Sequence, residues 1–189
     1  MKHFPLYILL LFFSFCERDD WRAEMEKENQ KVISQIQKDH KLIEGYKANP
    51  KDWEQSSKTK ELAVSNFLQE ISKFGKPEKH YVTWNEKLSV LFPNIKGSGT
   101  MLDTTPLFEY KKMLEERETM ALTELSKILL GKTFQINSIV WEKPRQYGSL
   151  MGYKPKSIQL KVEGKLVVIQ QIKMIFQTNS GYKIGVLGP

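Results

Sequence analysis

Residues 132–189 read KTFQINSIVWEKPRQYGSLMGYKPKSIQLKVEGKLVVIQQIKMIFQTNSGYKIGVLGP, and their apolar positions recur in twos. That period places alternate side chains on one face of a pleated strand, whereas a helix repeats every third or fourth residue. Phe134, Ile136 and Val140 alternate in a first predicted strand, and Ile158, Leu160 and Val162 in a second. Leu166, Val168, Ile172, Met174 and Phe176 mark a long third, and Tyr182, Ile184 and Val186 a fourth. Glu163-Gly164 and Asn179-Ser180-Gly181 have the composition of hairpin turns, so the last three strands are expected to form an antiparallel meander. A strand as long as the third is expected to bend, and Gln170-Gln171 at its middle is the expected bulge or bend.

Between the first two strands lies a segment, 145–155 (RQYGSLMGYKP), read as a loop. Tyr147, Met151 and Tyr153, spaced by Gly148 and Gly152 and flanked by Lys143, Arg145 and Lys154, make an adaptable aromatic and basic surface suited to recognition. Arg145, Tyr147, Met151, Tyr153 and Lys154 are therefore the candidate binding residues. The alternative is a loop whose aromatic rings fold back to cover the sheet edge.

Upstream the period lengthens to that of helices. Pro106, after Thr105, opens the longest core helix, expected to reach Leu130 and to stop at Gly131. Leu107, Tyr110, Leu114, Ala121, Leu125 and Ile128 line its inner face, with Glu115, Glu116, Arg117 and Glu118 in water. Thr83 and Glu86 have the spacing of a capping box for a short helix carrying Trp84, Leu88, Leu91 and Phe92, ended by Pro93. Another helix is expected to start at Asn49-Pro50, to bury Val64, Phe67, Leu68, Ile71 and Phe74, and to stop at Gly75. Residues 93–105 read as a flexible loop. Its Gly97-Ser98-Gly99-Thr100 lacks the Lys-Ser/Thr of a phosphate-binding loop, and Asp103-Thr104-Thr105 lacks the glycine and the second copy of an aspartic protease. Residues 20–47 are polar apart from a narrow stripe of Trp21, Met25, Val32, Ile36, Ile43 and Tyr46, which suits a tether helix partly packed on the domain.

The extreme N-terminus differs in kind. Residues 4–15 (FPLYILLLFFSF) are almost wholly apolar behind Lys2 and His3, and Cys16 and four charged residues follow at once. The run is too short to span a bilayer, which takes about 20 residues, but fits a signal-peptide core of roughly 7–15. Cys16 is the only cysteine in the chain. The segment resembles the signal of bacterial lipoproteins, in particular the looser spirochaete type, in which the cysteine after the apolar run is diacylated and becomes the new N-terminus. That resemblance implies a signal peptide at 1–15, a lipidated Cys16 with a helical tether at 16–49, and a globular domain at 50–189. Phe15 stands where a small residue is expected, so an uncleaved N-terminal anchor is the rival reading. Either implies attachment to a membrane of the bacterial cell envelope. With Cys16 acylated, the mature chain has no disulfide, thiolate metal site or cysteine nucleophile.

Charge narrows the partners. The chain carries a net +7, and residues 132–189 hold 9 basic residues against only 2 acidic ones, Glu142 and Glu163, so the excess lies in the strands. Lysines on strands guard against aggregation, and a basic excess on an exported domain also suits an envelope protein or an anionic surface. Export and the lack of a recognition motif argue against nucleic acid. His40 and His80, the histidines of the mature chain, have no carboxylate at evident pairing distance in sequence, so no catalytic residue is assigned, and no histidine stands at helical spacing beside the acidic run to make a metal site. No cofactor motif is present.

Helices first and a bent meander last define an α+β domain with a sheet of about four strands packed on a long helix. From about residue 62 onward this element order, with the closing Ser180-Gly181-Tyr182-Lys183-Ile184, resembles the cystatin-like and NTF2-like superfamily. His80 to Val82 is the candidate for the strand those domains place between early helices. The resemblance implies a ligand or a catalytic pair held in the cone between sheet and helices, or dimerisation through the sheet. A cone filled with aliphatic side chains would favour a non-enzymatic binding module; a polar cone would favour a ligand-binding or cryptic enzymatic domain.

Overall fold

In the computed structural model, which describes residues 21–48 and 51–189, the strand-like periodicity of the C-terminal third becomes four antiparallel chain passes, the first three broken by a bend. The first pass is β1 (Phe134–Trp141) and β2 (Arg145–Tyr147), the second β3 (Leu150–Tyr153) and β4 (Pro155–Val162). The third is β5 (Lys165–Ile169) and β6 (Ile172–Thr178), and the fourth β7 (Gly181–Leu187). Because all three bends interrupt the hydrogen-bond ladder, the meander divides into two sheets, ordered β1-β4-β5 and β2-β3-β6-β7. The break at Gln170-Gln171 is the expected bend of the long third strand. The expected α+β class, with helices preceding the strands, is what the chain forms.

Two details of register depart from simple alternation. A bulge in β1 between Ile136 and Ser138 adds a residue, so Ile139 and Trp141 turn inward and Val140 is exposed, the reverse of expectation. In β5 the inward residues are Val167 and Ile169, leaving Leu166 and Val168 on the outer face although the sequence pattern grouped them with the core. Residues 145–155, expected to be irregular, instead pair as the hairpin β2–β3, with Arg145 opposite Gly152 and Tyr147 opposite Leu150. Gly148 at φ +55° supplies the turn that a loop reading attributed to flexibility.

The helices cover the sheets from both sides. Helix α2 (Lys60–Phe74) begins ten residues later than expected, because Thr59, not Asn49, caps it by accepting from Leu62 N at 3.1 Å. Residues 49 and 50 lie outside the described residues. Val64, Phe67, Leu68 and Ile71 are buried as expected, but Phe74 is exposed, lying one residue before Gly75 turns the chain away at φ +70°. Helix α5 (Leu107–Leu129) buries Ala121, Leu125 and Leu129 against α2 and the sheets. Together these side chains, with Ile158, Leu160, Ile169, Ile175 and Ile184, form the main core. Each such side chain contributes about 1.5–3 kcal/mol by leaving water.

A second core lies on the other face of the four-stranded sheet. Neighbouring residues Ile175 and Phe176 enter different cores, as strand alternation requires. Phe176 meets Leu150, Val82, Trp53 and the segment that follows Thr83. There the capping box forms as expected and starts α3 (Trp84–Glu86), but Pro93 does not end the helical path. A π-type turn over Lys87–Leu91 leads into α4 (Phe92–Ile95), with Phe92 N bonded to Lys87 O. The wider turn accommodates a proline that lacks an N–H and would otherwise crowd the preceding carbonyl. Beyond it, the expected flexible loop is clamped, since the Asp103 carboxylate accepts from the backbone N–H groups of Gly97, Gly99 and Thr100.

Helix α1 (Trp21–Ala48) passes from one compact unit to another at Gln35 and Ile36. Residues 21–35 are exposed throughout, Trp21, Met25, Val32 and Ile33 included. From Ile36 the helix belongs to the domain: Ile43 is wholly buried, Asp39 Oδ2 accepts from Leu107 N at 2.8 Å, and His40 Nε2 lies 3.3 Å from Leu102 O. No helix among the described residues is long and apolar enough to cross a membrane. Cys16 and the apolar run before it, expected as a signal peptide, lie outside the described residues.

Candidate functional site

A surface recess of about 540 Å3 opens among the described residues where a helix end and several turns meet. Its walls are Tyr46 and Lys47 at the end of α1, Asp52, the π turn and α4 with Ser89 and Asn94, the β2–β3 turn at Gly148-Ser149, and the β6–β7 turn at Asn179. A second recess of about 330 Å3 shares Tyr46, Lys51, Asp52 and Ser89 with it and reaches Glu86.

Hydrogen bonds between turns fix this cleft. Asn94 donates to Val90 O at 2.7 Å and accepts from the N–H and hydroxyl of Ser149 at 2.8 and 3.0 Å, tying α4 to the hairpin. A side chain at residue 148 would place its Cβ 2.5 Å from Asn94 Oδ1, so both the positive φ and this close approach demand glycine. Across the cleft, Asp52 accepts from Trp53 N at 2.8 Å, Ser180 N at 3.0 Å and Ser180 Oγ at 2.7 Å. Burial pushes the Asp52 carboxyl up, but hydrogen bonds from Thr178, Ser180 and the backbone outweigh it and hold the group below the usual range.

Behind the cleft stand titratable groups that sequence spacing did not reveal. Lys183, in the closing Gly-Tyr-Lys-Ile motif, is 3 % exposed and donates to both Glu86 oxygens at 2.7 and 2.9 Å. Glu86 also accepts from the N–H and hydroxyl of Thr83 and from Glu54 N at 3.2 Å. Burial raises its pKa, while Lys183 and Thr83 lower it further, so the carboxylate stays charged. Lys87 pairs with Glu118, donates to Tyr81 Oη at 3.2 Å and lies 4.8 Å from the Tyr81 ring centroid. Glu118, expected in water beside Glu115, Glu116 and Arg117, is therefore drawn inward by a buried cation. Burial, then the Glu118 charge, pushes the Tyr81 phenol well above its ordinary value.

His80 also departs from expectation. Its Nδ1 lies 2.8 Å from Glu70 Oε1, and the same carboxylate accepts from the backbone N–H of Glu78, Lys79 and His80. Helix α2 supplies Glu70 from ten residues upstream, a separation at which no periodicity signals a pair. The backbone at His80 and Val82 then bonds to Ile184 of β7, forming an isolated bridge at Tyr81 where the sequence offers a candidate strand.

The five candidate binding residues do not converge on one surface. Tyr147 folds over Gly152 and packs edge-on against Phe176, ring centroids 5.8 Å apart, within the second core. Tyr153 points to the main core, donates to Gln177 at 2.8 Å and stacks near Tyr182. Lys154 pairs with Glu142 at 2.8 Å, Arg145 is exposed and Met151 half-buried. Lys60 covers the outer side of Tyr153 and Trp141, at 5.3 and 5.1 Å from their ring centroids. None of the five lines the cleft, which the hairpin meets through Gly148, Ser149 and Leu150.

Chemically, the cleft offers hydroxyls, amides, one carboxylate and two lysines, a set for holding a polar group. Its acid is already saturated by donors. Among the described residues no group of three or more His, Asp and Glu side chains is placed to hold a metal ion. Comparison with known proteins finds no matching family model, no matching curated protein and no matching solved structure.

Proposed function

We propose that this chain is an exported lipoprotein, anchored in a bacterial envelope membrane through acylated Cys16, whose domain is a non-enzymatic binding module. The observation that carries the second half is the filling of the cone. Between α2, α5 and the sheets stand Val64, Phe67, Leu68, Ala121, Leu125, Leu160 and Ile175, all essentially without solvent exposure. A small-ligand or catalytic site inside requires room and an unengaged polar group. The buried ionisable groups are instead committed to one another, as Lys183 with Glu86, Lys87 with Glu118 and Glu70 with His80. Recognition is then left to the surface, with an envelope protein or an anionic surface as partner and a second copy through the sheet as a further mode. The bent meander over two helices supports kinship with the cystatin-like and NTF2-like superfamily.

The address rests on residues 4–16. Metabolic labelling with a palmitate analogue tests it: the intact protein takes label, a Cys16→Ser variant does not, and the labelled protein sediments with membranes. Unlabelled protein recovered from cytosol with Met1 retained would refute the reading. A second reading, a small polar ligand held outside the cone, is favoured by the 540 Å3 cleft, which lies within the usual range of ligand pockets. Thermal-shift screening against polar metabolites, with Asn94→Leu as control, separates the two.

A further inference from the structure

Three of the four sheet edges are guarded. The outer edge of β7 is taken by Ser57, which exchanges backbone hydrogen bonds with Tyr182 at 2.9 and 2.8 Å, and by the His80–Val82 backbone. β1 is broken by two register shifts, and β2 is three residues long and follows Pro144. Such bulges, prolines and short strands are the usual protections against unwanted pairing.

β5 has none of them. It pairs regularly with β4 along its whole length and, among the described residues, with no strand on its other side. The turn that sets its register has Glu163 at φ +49° and Gly164 at φ +87°, a two-residue primed turn that bonds Val162 to Lys165. Antiparallel pairs alternate from there, so Leu160/Val167 and Ile158/Ile169 are the bonded pairs. The N–H and C=O groups of Leu166 and Val168 therefore point away from β4 and have no partner among the described residues. Their side chains stand on the outer face, 68 % and 51 % exposed.

The charge on this sheet is predominantly basic. Strands β1, β4 and β5 contain no carboxylate, and Glu163 at the turn is the one acid beside Lys156, Lys161 and Lys165. None of those three lysines forms an ion pair among the described residues. A second copy would bring the same lysines to the junction, so the complement is acidic.

We infer that the open edge of β5 is a strand-addition site for an extended acidic segment of a partner protein, whose aliphatic residues lie beside Leu166 and Val168 on the outer face and whose carboxylates, alternating to the other face, meet Lys165. Backbone pairing supplies affinity, and the alternate side chains and charges supply selectivity. The inference names the partner class for the binding module proposed above and rests on that reading.

The test uses the purified full-length chain in detergent and three fluorescent ten-residue probes: alternating Val and Glu, the same with Lys for Glu, and the Glu probe with a central proline. Saturable binding of the Glu probe is expected, weakened tenfold or more by the proline and by Lys for Glu. Val168→Pro removes an outward N–H without touching the β4 ladder, and Leu166→Lys removes the apolar contact without a backbone change. Each is expected to weaken the Glu probe at least tenfold with the circular-dichroism melt retained. Lys165→Glu should reduce or reverse the preference between probes. Equal binding of the two charged probes, no binding, or binding indifferent to both edge variants would overturn the inference. So would self-association in sedimentation velocity, or binding to anionic vesicles, that the edge variants abolish. Palmitate labelling in the same cells separates the two failures: label without probe binding refutes strand addition, and probe binding without label refutes the address.

Discussion

Replacing Lys183 by methionine keeps most of its volume and removes the cation that, among the described residues, touches Glu86. Glu86 is 3 % exposed, so the stranded carboxylate cannot recover water. Two charge-assisted hydrogen bonds disappear, each worth about 1.5–3 kcal/mol, while three donors from Thr83 and Glu54 remain. Breaking one side of a buried pair costs about 3–5 kcal/mol in total. For a domain of this size about 2–4 °C of melting temperature is lost per kcal/mol, so a fall of roughly 6–20 °C is expected. The loss has a pH signature. Glu86 is held below its ordinary value of 4.5, so its contribution is fully present above that pH and is lost as pH falls through the folded-state value. In the variant, protonating Glu86 removes the stranded charge. The gap between wild type and Lys183→Met is therefore widest at neutral pH and narrows below about pH 4.5. Urea denaturation at several pH values measures both quantities, and Lys183→Met combined with Glu86→Gln should recover part of the loss. A gap under about 1 kcal/mol at neutral pH, or one that does not change with acid, would refute the assignment of Glu86 and Lys183 as a buried charged pair.

Leu125→Ala should cost about 2–5 kcal/mol in the same assay, since Leu125 is wholly buried between α5 and α2 and leaves a cavity there. Gly185→Ala would set a Cβ 2.4 Å from the Phe176 ring, and the forced shift should cost about 1–3 kcal/mol, visible as a changed near-ultraviolet circular-dichroism signal. Glu70→Gln should flatten the acid limb of the stability curve: burial raises the Glu70 pKa but the N–H donors and His80 hold it low, so its contribution exists above about pH 4.5 and fades below. Thr59→Ala should destabilise by about 1 kcal/mol through the lost cap of α2, measurable by urea midpoint without change of slope.

Local chemistry makes several elements legible in the sequence alone. Two-residue alternation announces the meander because pleated backbones turn successive side chains to opposite faces, and Gly75, Gly131 and Glu163-Gly164 mark positions that require positive φ. The capping box at Thr83 and Glu86 is legible because its two partners are three residues apart. Periodicity failed at Val140, Leu166 and Val168, where a bulge or a change of sheet decides which face an apolar residue occupies.

The pairings that define the interior were decided only in three dimensions. Glu86 finds Lys183 across 97 residues and Lys87 finds Glu118 across 31, and no spacing rule reaches so far. Residues 145–155 have glycines and tyrosines that read as a loop; they form strands because β6 offers Gly152 and Tyr153 a ladder and Phe176 offers Tyr147 a surface. Sequence by itself determined which segments alternate, where the chain must turn, and that an apolar run ends at Cys16. Which charges are buried, which strand edge stays open and where the cleft lies depended on long-range contacts, because a side chain's cost or gain is set by the neighbours the fold brings to it.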